Sequence, residues 1–256
     1  MRPLLLLSND DGIDSPYLAA LADAFERETT AEVMVVAPER QRSAMSHTLT
    51  LHKPLRVRSH REGRFCASGS PVDCVYLGMM RLCPRPPTLV VSGINDGFNL
   101  GNDVFYSGTV GAAIEGGLRG AQAMAISLAP GAPECIDKAV GLAVSIGREL
   151  IERPLARGTV LNINVPAGDD RRYRMTRLGR RVYRDDVQER SDPRGRAYYW
   201  IGGGEAGMED VAGSDCEAVA AGLSSVTPLH LDLTAESLLG AGAPQWPLEG
   251  GFERAP

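Results

Sequence analysis

Histidine, tryptophan and paired cysteine are scarce in this chain of 256 residues, and each shortage narrows the chemistry open to it. The five cysteines, Cys66, Cys74, Cys83, Cys135 and Cys216, are odd in number, widely spaced and free of any CxxC pair. Neither a disulfide framework nor a cysteine zinc site is supported, and reduced thiols are the expectation. The four histidines, His47, His52, His60 and His230, form no HExxH or HxH pattern, which argues against a histidine-rich metal centre. Positive charge is not in excess: 27 Lys and Arg stand against 32 Asp and Glu, for a net charge of −5. The counterion-release contribution that grips duplex nucleic acid is therefore missing, and no such partner is expected. No apolar run approaches the length of a membrane span, and four leucines after Met1-Arg2-Pro3 are too few for a signal peptide. No membrane partner is expected, and the cytoplasm is the expected compartment. A GxxxxGK[ST] loop is absent, as is a dinucleotide fingerprint on the first strand.

What is present is enough apolar sequence, 43% of the residues, for a sizeable core. Apolar runs at Leu4 to Leu7, Val33 to Ala37, Thr88 to Val91, Met124 to Leu128 and Val160 to Val165 read as strands. Helix-period segments lie between them, at Ser15 to Glu28, Pro71 to Met80, Thr109 to Arg119 and Glu134 to Arg153. Short strands apolar on both faces and separated by helices predict an α/β fold, a doubly wound and mostly parallel sheet. Thr48 to Val57 and Phe65 to Ala67 read as extra β segments. From Asp169 arginines crowd the chain, a turn follows at Asp192-Pro193-Arg194-Gly195 and a strand at Ala197 to Ile201. Gly202 to Gly213 is loop by composition, Ser224 to Leu229 is a further strand, and the Gly/Pro-rich tail after Gly240 is expected to be loosely held. The expected division is a core of residues 1–168 and a hairpin-rich extension of residues 169–256, with the strand near 224–229 returning to the core.

The first strand runs into LLLLSNDDGIDS, which places Asn9, Asp10, Asp11 and Gly12 on the turn that follows it. In open α/β sheets ligands bind beyond the carboxyl ends of the strands. Two ionised carboxylates about 4 Å apart repel by roughly 4 kcal/mol at an effective dielectric of 20. A hard divalent cation between them removes that cost, Mg²⁺ or Mn²⁺ before zinc. Asp-Asp-Gly is also ordinary turn sequence, and an Asp before Ser15-Pro16 suits a helix cap, so this segment alone leaves both readings open. Two other strand ends add oxygen-bearing residues: APERQRSAMSH supplies Ser43 and Ser46, and SGIND supplies Ser92 and Asn95. Asp10, Asp11, Ser43 and Asn95 together offer two charged and two neutral oxygens, leaving positions on an octahedral ion for water and a phosphate oxygen.

The segment NDGFNLGNDVFYSGTVGAAIEGG, Asn95 to Gly117, carries Ser107-Gly108-Thr109 directly before a small-residue helix. Free N–H groups and the positive end of that helix make an anion cradle there.

These segments carry a resemblance. SNDDGIDSP, VVAPERQRSA, GSPVDCVYLG, VVSGINDGFNLGNDVFYSGTVGAAIEGG, LNINVP and SSVTPLHLDLT follow one another from residue 8 to residue 234, and in that order the chain resembles the SurE family of survival phosphatases, 5′/3′-nucleotidases. The resemblance implies a Rossmann-like core of SurE type. It also implies one divalent ion per subunit on Asp10, Asp11, Ser43 and Asn95, with Asn9, Asn99 and Ser107 as phosphate or water contacts. It implies nucleoside monophosphate substrates, short polyphosphate for some members, and a homodimer or homotetramer in which the C-terminal hairpin and tail serve assembly. Tyr17, Ala44 and Leu223-Ser224 depart from the family pattern.

The expected reaction is metal-assisted phosphomonoester hydrolysis, with Asp10 or Asp11 orienting or deprotonating water and Ser107, Gly108 and Thr109 holding phosphate oxygens. The alternative is a nucleotide-binding or assembly module that keeps the metal site without turnover. A receiver domain lacks its phosphoacceptor Asp and Lys here, and SNDDG lacks the DxDx[TV] spacing of haloacid-dehalogenase phosphatases.

Overall fold

Four consecutive leucines cannot all face one side of a sheet, so a strand built from them needs apolar cover on both. A computed structural model of the chain, describing residues 2–183, 187–201 and 207–239, shows that arrangement. All five residues of strand β1 (Leu4–Ser8) are buried. Leu5 and Leu7 pack into one core with helices α1 (Pro16–Glu28) and α4 (Ile136–Glu152). Leu4 and Leu6 pack into a second core with α2 (Pro71–Leu77) and α3 (Gly108–Leu118).

The other strands of the main sheet are β2 (Glu32–Pro38), β3 (Val57–Arg61), β4 (Arg64–Ala67), β5 (Leu89–Asp96), β6 (Gln122–Leu128), β7 (Thr159–Val165), β8 (Tyr173–Met175) and β13 (Ser224–His230). Together with β1 they form nine strands in the order β3-β4-β2-β1-β5-β6-β7-β13-β8. β4, β2, β1, β5, β6 and β7 run parallel, while β3 and β13 pair antiparallel with β4 and β7. The chain moves outward from β1 through β2 to β3 at the edge, returns as β4 beside β2, then crosses back to β5 on the other side of β1. The strand order therefore reverses between β1 and β5, where loops part and leave a crevice.

Local sequence explains the helices that frame this crevice. Ser15 caps α1 by accepting from the Leu18 N–H, and Pro16 at the first position has the φ a helix needs. Leu18, Leu21, Ala22 and Phe25 form its buried stripe. Phe25 packs so closely on α4 that a Cβ at Gly147 would lie 2.8 Å from its ring. α3 lies equally close on the sheet, because a Cβ at Gly116 would fall 2.6 Å from Val90 Cβ.

Three segments differ from the sequence expectation. Thr48 to Val57 forms no strand before Val57, where β3 begins. Pro54 supplies no ladder N–H, and the segment is held instead by side chains: Ser70 Oγ donates to Thr48 O, and Thr50 N–H and Oγ1–H donate to Asp73. Within the Gly202 to Gly213 loop, residues 202–206 lie outside the described residues, and β12 (Gly207–Met208) pairs with β9 (Arg181–Val182). A short helix unforeseen in the sequence, α5 (Asp215–Ala220), follows Ser214, whose hydroxyl accepts from the Glu217 N–H. The Ser-x-x-Glu signature for that cap is present in the sequence. The expected hairpin is β10 (Val187–Ser191) paired with β11 (Ala197–Ile201). The tail after Gly240 lies outside the described residues.

Candidate active site

β1 and β5 run side by side to Ser8 and Ser92, and the turn after β1 opens into the crevice between them. Asn9 braces this turn at both ends: its Nδ2 donates to Gly12 O at 3.0 Å, and its Oδ1 accepts from Gly12 N–H at 3.1 Å. Gly12 takes φ +104°, and a Cβ there would meet Arg40 backbone at 3.1 Å, so only glycine lets the β1 and β2 loops close on each other. Two backbone bonds complete the contact, Ile13 N–H to Pro38 O and Arg42 N–H to Asp10 O, at 2.8 and 2.7 Å.

The turn sends its two carboxylates to different neighbours. Asp10, buried, reaches the start of α3. Thr109 Oγ1–H donates to its Oδ1 at 2.6 Å, and a Cβ at Gly108 would lie 3.3 Å from its Oδ2. Asp11 faces the end of β5, where the Asp96 backbone lowers its pKa slightly against the rise from burial. Burial is the main reason that both carboxyls sit above their ordinary value, and Asp11 is pushed up to about 6 with further help from the charges of Asp10 and Asp96. The Thr109 bond opposes the rise at Asp10. Among the described residues no cationic side chain offsets either carboxylate, and Asp11 Oδ2 is buried without a partner. An orphaned carboxylate oxygen beside a second carboxylate fits a hard cation.

The other proposed ligands stand on the same edge. Asn95, near the end of strand β5, donates its Nδ2 to Gly97 O at 2.7 Å, which leaves its side-chain carbonyl oxygen available. Ser43 is exposed and one residue from Arg42, whose N–H holds Asp10 O. Its loop is fastened to α3 and to the segment just before it: Ser46 N–H donates to Tyr106 O, Ser46 Oγ to Phe105 O, and His47 Nε2 lies 3.1 Å from Glu115. Among the described residues no three His, Cys, Asp or Glu side chains gather around a metal position. The candidate set has a different make-up, two carboxylates and two neutral oxygens.

Ser107 caps α3, accepting from Val110 N–H through Oγ at 3.1 Å, so its own O–H stays free to donate. Asn99 is held rather than free. Its N–H donates to Asn164 Oδ1, its C=O accepts from Asn162 and Asn164, and its Nδ2 donates to Ser127 Oγ. Sequence reasoning missed Asn162, Asn164 and Asp96. The signal for the asparagines was legible in LNINVP: two amides at alternate positions of a buried strand share a face and need partners there.

Beside Asp11 an open cavity of about 710 Å³ is lined by Tyr17, Arg40, Gln41, Asp96 and Pro133 among others. A second, apolar cavity of about 430 Å³ lies between Phe105, Ile114 and Leu118 on one side and Leu229 and Leu231 on the other, and neither Asp10 nor Asp11 lines it. The family model described as Survival protein SurE matches residues 5–185. The chain belongs to the SurE family. A SurE relative from an Anaeromyxobacter species, named 5′-nucleotidase SurE, is 50% identical over 255 residues, 98% of each chain. The protein of the same name from Geobacter sulfurreducens is 48% identical over 234 residues, covering 90% of this chain and 88% of its own. The crystal structure of the SurE protein from Aquifex aeolicus matches with a TM-score of 0.81 at 38% identity, covering 93% of this chain and 97% of its own. Among the described residues of this SurE chain no helix is long and apolar enough to cross a membrane.

Proposed function

We propose that this SurE chain is a metal-dependent 5′-nucleotidase, hydrolysing nucleoside 5′-monophosphates, and 3′-monophosphates as a second class, to nucleoside and phosphate. The observation that carries this reading is the pair Asp10 and Asp11 at the strand-order reversal, one against the N-terminus of α3 and the other with a buried, unpartnered oxygen. The relatives named 5′-nucleotidase SurE support it over almost the whole chain.

Asp10, Asp11, Ser43 and Asn95 would hold the metal, Mg²⁺ or Mn²⁺ given all-oxygen donors. A divalent ion bound there supplies charge neutralisation for the phosphate and lowers the pKa of water. The chain's own groups do the remainder. The Ser107 O–H and the Gly108 N–H at the positive end of α3 donate to phosphate oxygens as charge builds on them. Thr109 spends its hydroxyl on Asp10, which fixes that carboxylate. Asp10 or Asp11, whichever carries the oxygen less committed to the metal, orients the attacking water and takes its proton. Asn9 and Asn99 shape the loops beneath this surface.

The exposed Tyr198, Tyr199, Trp200 and Ile201 of β11 support a homodimer or homotetramer, since an isolated two-stranded hairpin is marginal alone. The region from residue 169 onward is the assembly extension in this reading. Unpaired cysteines accord with the cytoplasm.

The test is phosphate release from a panel of 5′- and 3′-nucleoside monophosphates, with Mg²⁺ or Mn²⁺ and after EDTA. Release that requires the metal is expected. A folded protein that binds a nucleotide yet releases no phosphate under any of these conditions would leave a binding module in place of the enzyme.

A further inference from the structure

The extension does more than project from the core. It grips the segment that leads into the anion cradle. Every residue from Gly101 to Asp103 is bonded to a part of the chain beyond residue 169. Gly101 N–H donates to Asp215 Oδ2 at 2.9 Å, and Asp215 is fully buried, its Oδ1 accepting from Gly179 N–H at 2.7 Å and Cys216 N–H at 2.8 Å. The fit is close, since a Cβ at Gly101 would lie 2.7 Å from Gly179 O. Asn102 Oδ1 accepts from Arg181 N–H at 2.8 Å. Asp103 takes the Tyr183 hydroxyl on Oδ1 at 2.5 Å and lies 3.2 Å from Arg181 Nη1 through Oδ2.

Asp103 also faces the other way. Its backbone oxygen accepts the N–H of Tyr106 at 2.9 Å and of Ser107 at 3.1 Å. One residue therefore joins the extension, through its carboxylate, to the cap of α3, through its carbonyl. Burial and Asp103 together push the Tyr183 phenol up to about 12, so it stays a donor to Asp103 even in alkaline solution. Arg181 stacks at 5.5 Å from the Tyr183 ring, which fixes the pair that grips the carboxylate.

We infer that Asp103 is a positioning residue for phosphate, held by Tyr183 and Arg181 so that the Ser107 and Gly108 donors face the substrate, and that the extension thereby takes part in substrate binding. This rests on the nucleotidase reading above. Asp103 touches neither of the candidate carboxylate ligands, and Asp10 keeps its own bond from Thr109 Oγ1, so the effect of Asp103 falls on phosphate before it falls on the metal.

The experiment compares Tyr183→Phe, Asp103→Asn and Asp103→Ala with the unaltered full chain. It measures KM and kcat for a nucleoside 5′-monophosphate, inhibition by inorganic phosphate, and Mn²⁺ affinity by calorimetry. Tyr183→Phe removes a single, partly exposed oxygen and leaves the fold standing. It should raise KM and the phosphate inhibition constant about fivefold to tenfold, less than the direct loss of a bond to a charged group, because Tyr183 acts on phosphate only through Asp103. Asp103→Ala should exceed that, with Asp103→Asn between, because the amide still accepts from Tyr183. The value of kcat should fall as well, since the same donors stabilise the charge that builds in the transition state, while Mn²⁺ affinity should move far less than the phosphate inhibition constant. A purely structural role would lower the melting temperature and the active fraction while KM and phosphate inhibition stayed put. Unchanged KM and phosphate inhibition in folded Tyr183→Phe, or a loss of Mn²⁺ affinity that parallels the rise in KM, overturns the inference. A silent unaltered chain, with no turnover and no phosphate binding, overturns the nucleotidase reading itself and this inference with it.

Discussion

Replacing Asp11 by asparagine should make the metal-free protein more stable and the metal-loaded protein less so than the unaltered chain. A carboxyl held at about 6 rather than its ordinary 3.8 corresponds to about 3 kcal/mol at 1.36 kcal/mol per pH unit. Solvent reaching a half-buried group reduces this to about 1–2 kcal/mol. Because the folded value lies above the unfolded one, the native state binds the extra proton between pH 3.8 and about 6. Stability in the absence of metal is fullest below that window and is lost as pH rises through its upper end. The amide of Asp11→Asn carries no charge to bury, so at pH 7.5 with EDTA the melting temperature of this variant should exceed that of the unaltered chain by roughly 2–8 °C, at about 2–4 °C per kcal/mol. The advantage should shrink toward pH 5. Adding Mn²⁺ to one hundred times its dissociation constant stabilises the unaltered chain by about 2.7 kcal/mol and should reverse the order. The assay is a pair of thermal melts across pH, with EDTA and with Mn²⁺. An Asp11→Asn protein no more stable than the unaltered chain in EDTA at pH 7.5, or raised equally by Mn²⁺, would refute the reasoning.

Two further perturbations act through neighbours of the carboxylates. Thr109→Val keeps the shape of a fully buried side chain and removes the 2.6 Å bond to Asp10. A lost hydrogen bond to a charged group costs about 1.5–3 kcal/mol, so calorimetry should show Mn²⁺ binding weakened tenfold or more, and unchanged affinity would count against Asp10 as a ligand. Gly111→Ala sets helix propensity, which favours Ala by about 1 kcal/mol, against a Cβ placed 2.6 Å from Ser46 O. The contact is with backbone and should win, displacing the Ser43 loop; circular dichroism should stay native while Mn²⁺ affinity falls, and a more stable variant with full affinity would show that the loop yields freely.

The parts of this fold that were legible in the sequence are those set by periodicity and local backbone chemistry. Leu4 to Leu7 announce a strand covered on both faces, Ser15-Pro16 announce the start of α1, and the strand ends carrying Asp10, Asp11, Ser43 and Asn95 fall on one edge because parallel strands share a direction. Hydrophobic pattern misjudged residues 48–56, where Thr50 gives its N–H to Asp73 instead of to a strand. It was also silent on bonds between distant polar groups. Asn164 holds Asn99 across 65 residues, and Asp215 holds Gly101 across 114. Nothing local to Asp215 marks it as a brace for that loop, and from sequence alone the extension reads as an assembly element more than a chemical one. The cap at Ser214 and the paired asparagines of LNINVP did have signals, one a capping signature and the other a buried polar pair awaiting partners.

The central claim is that a divalent ion on Asp10 and Asp11 is what gives this SurE chain its phosphatase activity. The most direct measurement strips the purified protein with EDTA, removes the chelator, and titrates Mn²⁺ while phosphate release from a nucleoside 5′-monophosphate is followed, for the unaltered chain and for Asp10→Asn. The account expects no release from the stripped protein, recovery that saturates at one Mn²⁺ per chain, and none from Asp10→Asn at the same concentrations. Turnover by the stripped protein, or full recovery by Asp10→Asn, would contradict it.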